Sequence, residues 1–297
     1  LQPDGGWGWS NAGLVVSGES SLLIDTLFDL RLTREMLAAM RALTERRPIR
    51  QVLNTHGNGD HCYGNQLVPE QAEIVATEGA VQDMRDVPAA LMHALTTVEL
   101  EDENLRAFVR HAFGPFDFGG IEMRLPTRTF SGSLSLDVGG RRVELLELGP
   151  AHTRGDVIAF VPDARAVFTG DILFVGGTPI MWAGPVSNWL AACEHIEQLD
   201  VDVVVPGHGP VTDKDGPRQV RRYLEYVREQ AAERHRAGMS AEEAALDIDL
   251  GPYADWGDRE RIVVNVDSIY AELDPGHDRA PAPELLARMG SYLRRSA

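Results

Sequence analysis

Lysine is almost missing from this chain: among 28 basic residues only Lys214 is a lysine, and the rest are arginines. That skew reads as a genome-composition bias, not a functional device. Cysteine is scarce as well. Cys62 and Cys193 cannot build a disulfide framework, so a reducing cytoplasm is the expected compartment. No stretch reaches the roughly 18 apolar residues of a membrane helix, and no signal-like segment is evident. Positive charge is in deficit: the formal net charge is −17. Nucleic acid and anionic membranes would be repelled, and neither is an expected partner.

What remains is an ordinary globular composition. The 297 residues fit one large domain or two small ones, and 43% hydrophobic content supports a substantial core. Leu14-Val15-Val16 and Leu22-Leu23-Ile24 read as buried strands around the turn at 17–20, followed by a helix near 33–46 with Met36, Leu37, Met40 and Leu43 on one face. The run at 51–53 is the next strand. Residues 78–112 are mainly helical and show no evident chemistry. Strands dominate 121–170, a helix follows at 187–199 with Ser187 as N-cap, and Val203-Val204-Val205 is the last strand. A long helix at 217–236 stops near Gly238, and a helical appendage runs from about 240. Two strand-rich halves, each closed by helices, imply an α/β layered sandwich with sheets inside and helices outside. The expected division is a main domain at 1–237 and a C-terminal extension at 238–297.

The densest chemistry sits after the strand at 51–53, in His56-Gly57-Asn58-Gly59-Asp60-His61. Two imidazoles, a carboxamide and a carboxylate, spaced by glycines, can turn inward from one bend and meet a metal ion. Three later segments also end in a potential ligand: His152 in Gly149-Pro150-Ala151-His152, Asp171 in Thr169-Gly170-Asp171, and His208 in Pro206-Gly207-His208. Any one of these alone has a bland reading as a loop or capping residue, as the other five histidines do. Four strand ends each presenting a donor argue for a metal-dependent enzyme.

This pattern resembles the metallo-β-lactamase superfamily, whose signature is His-x-His-x-Asp-His followed by a distant His, Asp and His. The resemblance covers about residues 10–237 and implies an αββα sandwich with two zinc ions per chain. It implies His56 and His152 on the first zinc, Asp60, His61 and His208 on the second, Asp171 as the bridge, and Asp25 steadying the metal loop. Asn58 stands where the family usually has its second histidine. A carboxamide is a weaker zinc ligand than imidazole, so the first site is expected to be loosened, with a single metal at Asp60, His61 and His208 as the alternative. Iron or manganese also suit a mixed nitrogen/oxygen site.

Such a centre can lower the pKa of water to about 7 and stabilise an enolate or an oxyanion, so the ligands alone do not choose a reaction. No lysine follows closely on Asp171 to hold a β-lactam carboxylate. The phrase from Asn54 to Asn65 and the Gly-Trp-Gly-Trp segment at 5–13 are similar to the lactamase-type cyclases of bacterial aromatic polyketide pathways. That resemblance implies second-ring closure by aldol condensation on a polyketide delivered by an acyl carrier protein, with thioester release and with Asp60 assisting proton removal. Trp9 and Trp182 are the expected substrate contacts, and Arg221/Arg222 or Arg46/Arg47 the candidate carrier-facing patches. The alternatives are a general hydrolase of thioesters or lactones, and a non-catalytic binder with a decayed metal site.

Overall fold

The computed structural model describes residues 6–296, so Gly5 of the tryptophan segment lies outside the described residues. Among the described residues ten strands form two five-stranded sheets. The first contains β1 (Gly13–Ser17), β2 (Ser20–Ile24), β3 (Ile49–Leu53), β4 (Glu73–Thr77) and β5 (Arg128–Phe130) in that spatial order. β1 and β2 pair antiparallel as a hairpin; β2 to β5 are parallel. The second sheet contains β6 (Ser133–Val138), β7 (Arg141–Glu147), β8 (Val157–Val161), β9 (Ala166–Phe168) and β10 (Val203–Val205), antiparallel except for the β9–β10 pair.

Strand periodicity explains the layering, because successive side chains point to opposite faces. Leu22 and Ile24, Leu53 and Val75 meet Val157, Ala159, Val161, Val143 and Leu145 in one cluster between the sheets. Their neighbours Leu23, Val52, Ile74 and Ile158 join the larger cluster beneath the helices. A strand buried on both faces is sandwiched between its partner sheet and a helical layer.

The helices are α1 (Leu30–Thr44), α2 (Gly59–Cys62), α3 (Glu78–Asp86), α4 (Ala89–Thr97), α5 (Glu103–Ala112), α6 (Val186–Gln198), α7 (Asp215–Arg236), α8 (Ala241–Asp247), α9 (Ile262–Leu273) and α10 (Ala282–Ser296). Asp29 caps α1 by accepting from the Leu32 amide at 2.7 Å, a contact worth about 1 kcal/mol. Leu43, expected on the buried face of α1, is 50% exposed; Leu32 and Met36 carry that face instead. Ser187 is not the N-cap of α6 either. Pro185 takes that place, with Ser187 already inside the helix.

The helical segment beyond residue 240 shares the main apolar cluster through Ile262, Val264, Val266 and Ile269. α10 lies so close to α5 that a Cβ on Gly290 would fall 1.9 Å from the Asn104 carbonyl oxygen. None of the helices among the described residues is long and apolar enough to cross a membrane.

Candidate metal centre and its cavity

All four predicted ligand segments converge at one edge of the sandwich, beyond the carboxyl ends of the parallel strands. β3 delivers the stretch 54–61, whose last residues form α2. Asp25 leaves β2 in a left-handed backbone conformation (φ 62°), a strained state for a non-glycine residue that is found where surrounding structure enforces it. The Asp25 amide donates to the Leu53 carbonyl at 2.8 Å, and its carboxylate accepts from the Thr55 amide and hydroxyl, each at 2.7 Å. The same carboxylate takes His61 Nδ1 at 2.9 Å.

Those bonds set the tautomers. With its proton given to Asp25, the Thr55 hydroxyl oxygen accepts from His56 Nδ1 at 3.1 Å. His152 Nδ1 donates to the Ile180 carbonyl at 2.6 Å. In His56, His61 and His152 the Nε2 atom is therefore the one turned to the centre, as a metal-binding imidazole requires. His208 is held by its face: it stacks on Phe174 with centroids 4.8 Å apart and planes 4° apart.

The donors form two triads, His56/His152/Asp171 and Asp60/His61/His208, each with its ligand atoms within 4.8 Å of one another. Asp171 joins them: its carboxylate oxygens lie 3.1 Å from His61 Nε2, 3.3 Å from His208 Nε2, 3.4 Å from His152 Nε2 and 3.7 Å from His56 Nε2. Asp60 Oδ2 is 3.3 Å from His208 Nε2 and 3.8 Å from His61 Nε2. Close backbone packing permits this convergence. A Cβ on Gly207 would lie 1.9 Å from Asp171 Oδ1.

The electrostatics favour a cation. Burial works against charge on His61, yet Asp171, Asp25 and Asp60 override it and raise the pKa well above the ordinary value. His208 is likewise opposed by burial but pushed up to about 9 by Asp171 and Asp60. Asp60 is lowered to about 2, since His61 and His208 outweigh its burial. Asp171 also falls well below the usual carboxylate range, again against burial, through His208 and His61. By contrast His56 and His152 are both lowered, chiefly by burial.

A metal fits these residues on a structural ground. His56 Nε2, His61 Nε2 and Asp171 Oδ1 are fully buried and make no hydrogen bond among the described residues. Buried polar atoms without partners are uncommon and call for a ligand. An imidazole/carboxylate donor set suits a divalent transition metal, typically zinc. Asn58 enters the first triad differently: with His152 Nδ1 committed to Ile180, the amide of Asn58 donates to His152 Nε2 at 2.9 Å. A donor facing a ligand lone pair competes with a metal there.

The centre opens into a cavity of about 840 Å³. Asn58, Asp60, His152, Asp171 and His208 form its floor, and its walls are mostly apolar. Leu91, Met92 and Leu95 of α4, Leu105 of α5, Phe28, Phe113 and Leu286 of α10 contribute to them. Trp182, one of the two expected substrate contacts, is in the wall. Trp9 is not among the lining residues; it packs on Phe116 at 4.9 Å between centroids, and Trp7, two residues earlier, faces the cavity instead. The helical stretch that showed no chemistry in the sequence thus supplies a wall. Its signal was only apolar spacing, which cannot distinguish a pocket wall from a core.

A family model of the metallo-beta-lactamase superfamily matches residues 5–208, and the chain belongs to that superfamily. It is 23% identical over 267 residues to a linear primary-alkylsulfatase from Pseudomonas sp. (strain ATCC 19151), covering 81% of this chain and 50% of that protein. It is 25% identical over 176 residues to a hydroxyacylglutathione hydrolase from Synechococcus sp. (strain ATCC 27144 / PCC 6301 / SAUG 1402/1), covering 57% and 53%. The chain spans about half the length of these curated relatives. Among solved structures, a stereoselective inverting sec-alkylsulfatase from Pseudomonas sp. superposes with TM-score 0.66 at 15% identity over 92% of this chain and 50% of that one. A metallo-beta-lactamase from Pontibacter korlensis gives 0.56 at 19% identity over 73% and 87%. These likenesses show the fold, and the superfamily's members are mostly metal-dependent hydrolases.

Proposed function

We propose that the protein is a zinc-dependent cyclase that closes the second ring of a carrier-bound aromatic polyketide by aldol condensation, with thioester hydrolysis as a companion activity. The observation that carries this reading is the union of a buried carboxylate/imidazole centre with a large, aromatic-walled cavity. A volume of about 840 Å³ lies within the range of small-molecule sites and suits a bulky, flat, mostly apolar substrate.

Two divalent ions, when bound, supply Lewis acidity toward a carbonyl and toward water. His56, His152, Asp60, His61, His208 and Asp171 would hold them, and the remaining work falls to the chain itself. Asp60 stays ionised and faces the cavity, which places it to assist removal of the α-proton of a β-polyketone. Trp7 and Trp182 flank the substrate and keep bulk water out. Confinement then brings enolate carbon and acceptor carbonyl together, where orientation replaces a bimolecular encounter. The carrier protein docks at the cavity mouth, where Val87 and Leu91 are exposed. Arg221 is engaged by Glu197 and Glu225, and Arg46 and Arg47 precede β3 at the sheet end opposite the metal loop.

A second reading, hydrolysis of thioesters or lactones without cyclisation, is favoured by the relatives named as alkylsulfatase and hydroxyacylglutathione hydrolase. A decayed, purely binding site is the weakest reading, because the unpartnered buried donors have no other use. Adding the protein to a system that makes a linear polyketide separates the three. A changed ring pattern supports the cyclase. Faster carrier release with unchanged rings supports the hydrolase, and no effect on either overturns both.

A further inference from the structure

The loop at 178–186 separates the metal centre from the C-terminal helices, and its backbone is bound on both sides. Toward the centre, the Ile180 carbonyl accepts His152 Nδ1, the amides of Trp182 and Ala183 donate to the His152 carbonyl at 2.9 and 3.0 Å, and the Gly184 amide donates to the Ala151 carbonyl at 2.8 Å. Away from it, residues beyond 250 satisfy the loop. Arg261 donates to the Thr178 carbonyl at 2.8 Å; Asn265 accepts from the Met181 amide at 2.9 Å and donates to the Pro179 carbonyl at 2.8 Å. Arg279 caps three successive carbonyls: Met181 at 3.2 Å, Trp182 at 2.8 Å and Ala183 at 3.3 Å. The guanidinium is fixed in turn by Asp267, whose carboxylate is 1% exposed and also accepts from His277 at 3.1 Å.

The geometry points to Arg279 as a positioning residue for the first metal site, acting through the 180–184 backbone on His152 and on the Trp182 wall. The inference rests on the metal-enzyme reading above. Three carbonyls that converge on one half-buried side repel each other and are best met by a multidentate donor. A guanidinium with several N–H groups in a fixed plane meets that need, and the single ammonium of a lysine meets it only in part. Without the clamp the loop's outward carbonyls would seek water, and the Ile180 oxygen that orients His152 would move with them. The second triad has no such dependence: His61 is oriented by Asp25, and His208 by Phe174. A general loss of fold would weaken both sites together. Loss of the clamp weakens one.

The test is zinc titration by calorimetry of the full chain, wild type against Arg279→Met and Arg279→Lys, with melting temperature as the folding control. The clamp predicts about a tenfold or greater loss of first-site affinity in the Met variant, partial recovery in the Lys variant, and an unchanged second site. Equal loss at both sites, or no loss at either, overturns the inference. Wild-type protein that takes up no zinc overturns the metal reading itself, which is a separate failure. If Arg279→Met does not fold, Asp267→Asn tests the same clamp from its anchor. Hydrogen exchange on wild type gives an independent reading: the amides of Trp182, Ala183 and Gly184 should be protected as strongly as the core strands, and rapid exchange there would sink the proposal.

Discussion

His61 and His152 face one another across the same carboxylate of Asp171 but are held in opposite ways. His61 leans on the buried carboxylate of Asp25 and sits in the field of three acids. His152 leans on a neutral carbonyl, with burial dominant and an amide from Asn58 on its ligand atom. One donor group is built for charge and the other for shape. The difference teaches that the two metal positions need not have equal affinity, although they share a bridge.

The strongest way to break this comparison is Asp60→Ala. It removes a donor of the second triad and the ionised carboxylate facing the cavity, so turnover should fall by at least ~100-fold, with loss of the tighter metal measured by elemental analysis after dialysis. Asp25→Asn should follow. It leaves every ligand in place but replaces the charged partner of His61, and second-site affinity should drop about 10- to 100-fold in calorimetry, with a smaller loss at the first site through the Thr55 hydroxyl that orients His56. Asn58→His should sharpen the comparison from the other side by replacing a competing donor with an imidazole. An increase of about tenfold in first-site affinity is expected, and unchanged stoichiometry and affinity would contradict the assignment of position 58.

The smallest effect is on stability and concerns chelated protein. His208 is raised from an ordinary 6.5 to about 9, so its ion pairs stabilise the fold fully below 6.5, and that contribution disappears as pH climbs through about 9. Asp60 is depressed from 3.8 to about 2, so its contribution is present above 3.8 and disappears as pH falls through about 2. Melting temperature of the chelated protein should therefore be highest between these limits and decline toward pH 9. Zinc-loaded protein should lack the alkaline decline, because the metal takes the place of the displaced protons.

The sequence made the metal bed legible because each donor lies in a short local phrase: a strand, a glycine, a ligand. His56 to His61, His152, Asp171 and His208 could each be read without knowing what they touch. Both layers of the sandwich were also legible from the apolar runs of β2 and β8, from alternation in β7 and from the helical spacing of α7. Other features were hidden because they depend on distant partners. Nothing local marks Arg279 as a clamp on carbonyls almost a hundred positions earlier. Trp7 and Trp9 are indistinguishable in a Gly-Trp-Gly-Trp repeat until Phe116 claims the second. Ser187 looked like a cap by residue type, but the chain enters α6 two residues earlier, with Pro185 as the cap.

Residues 78–127 leave the first sheet after β4 and return to it at β5, carrying α3, α4 and α5 as one excursion. That excursion builds much of the chamber wall and donates nothing to the metals. Exchanging this single insert would therefore remodel what the cavity admits, leaving the metal-binding floor untouched. Grafting the corresponding segment from another member of the superfamily is accordingly the most economical way to change its choice of substrate.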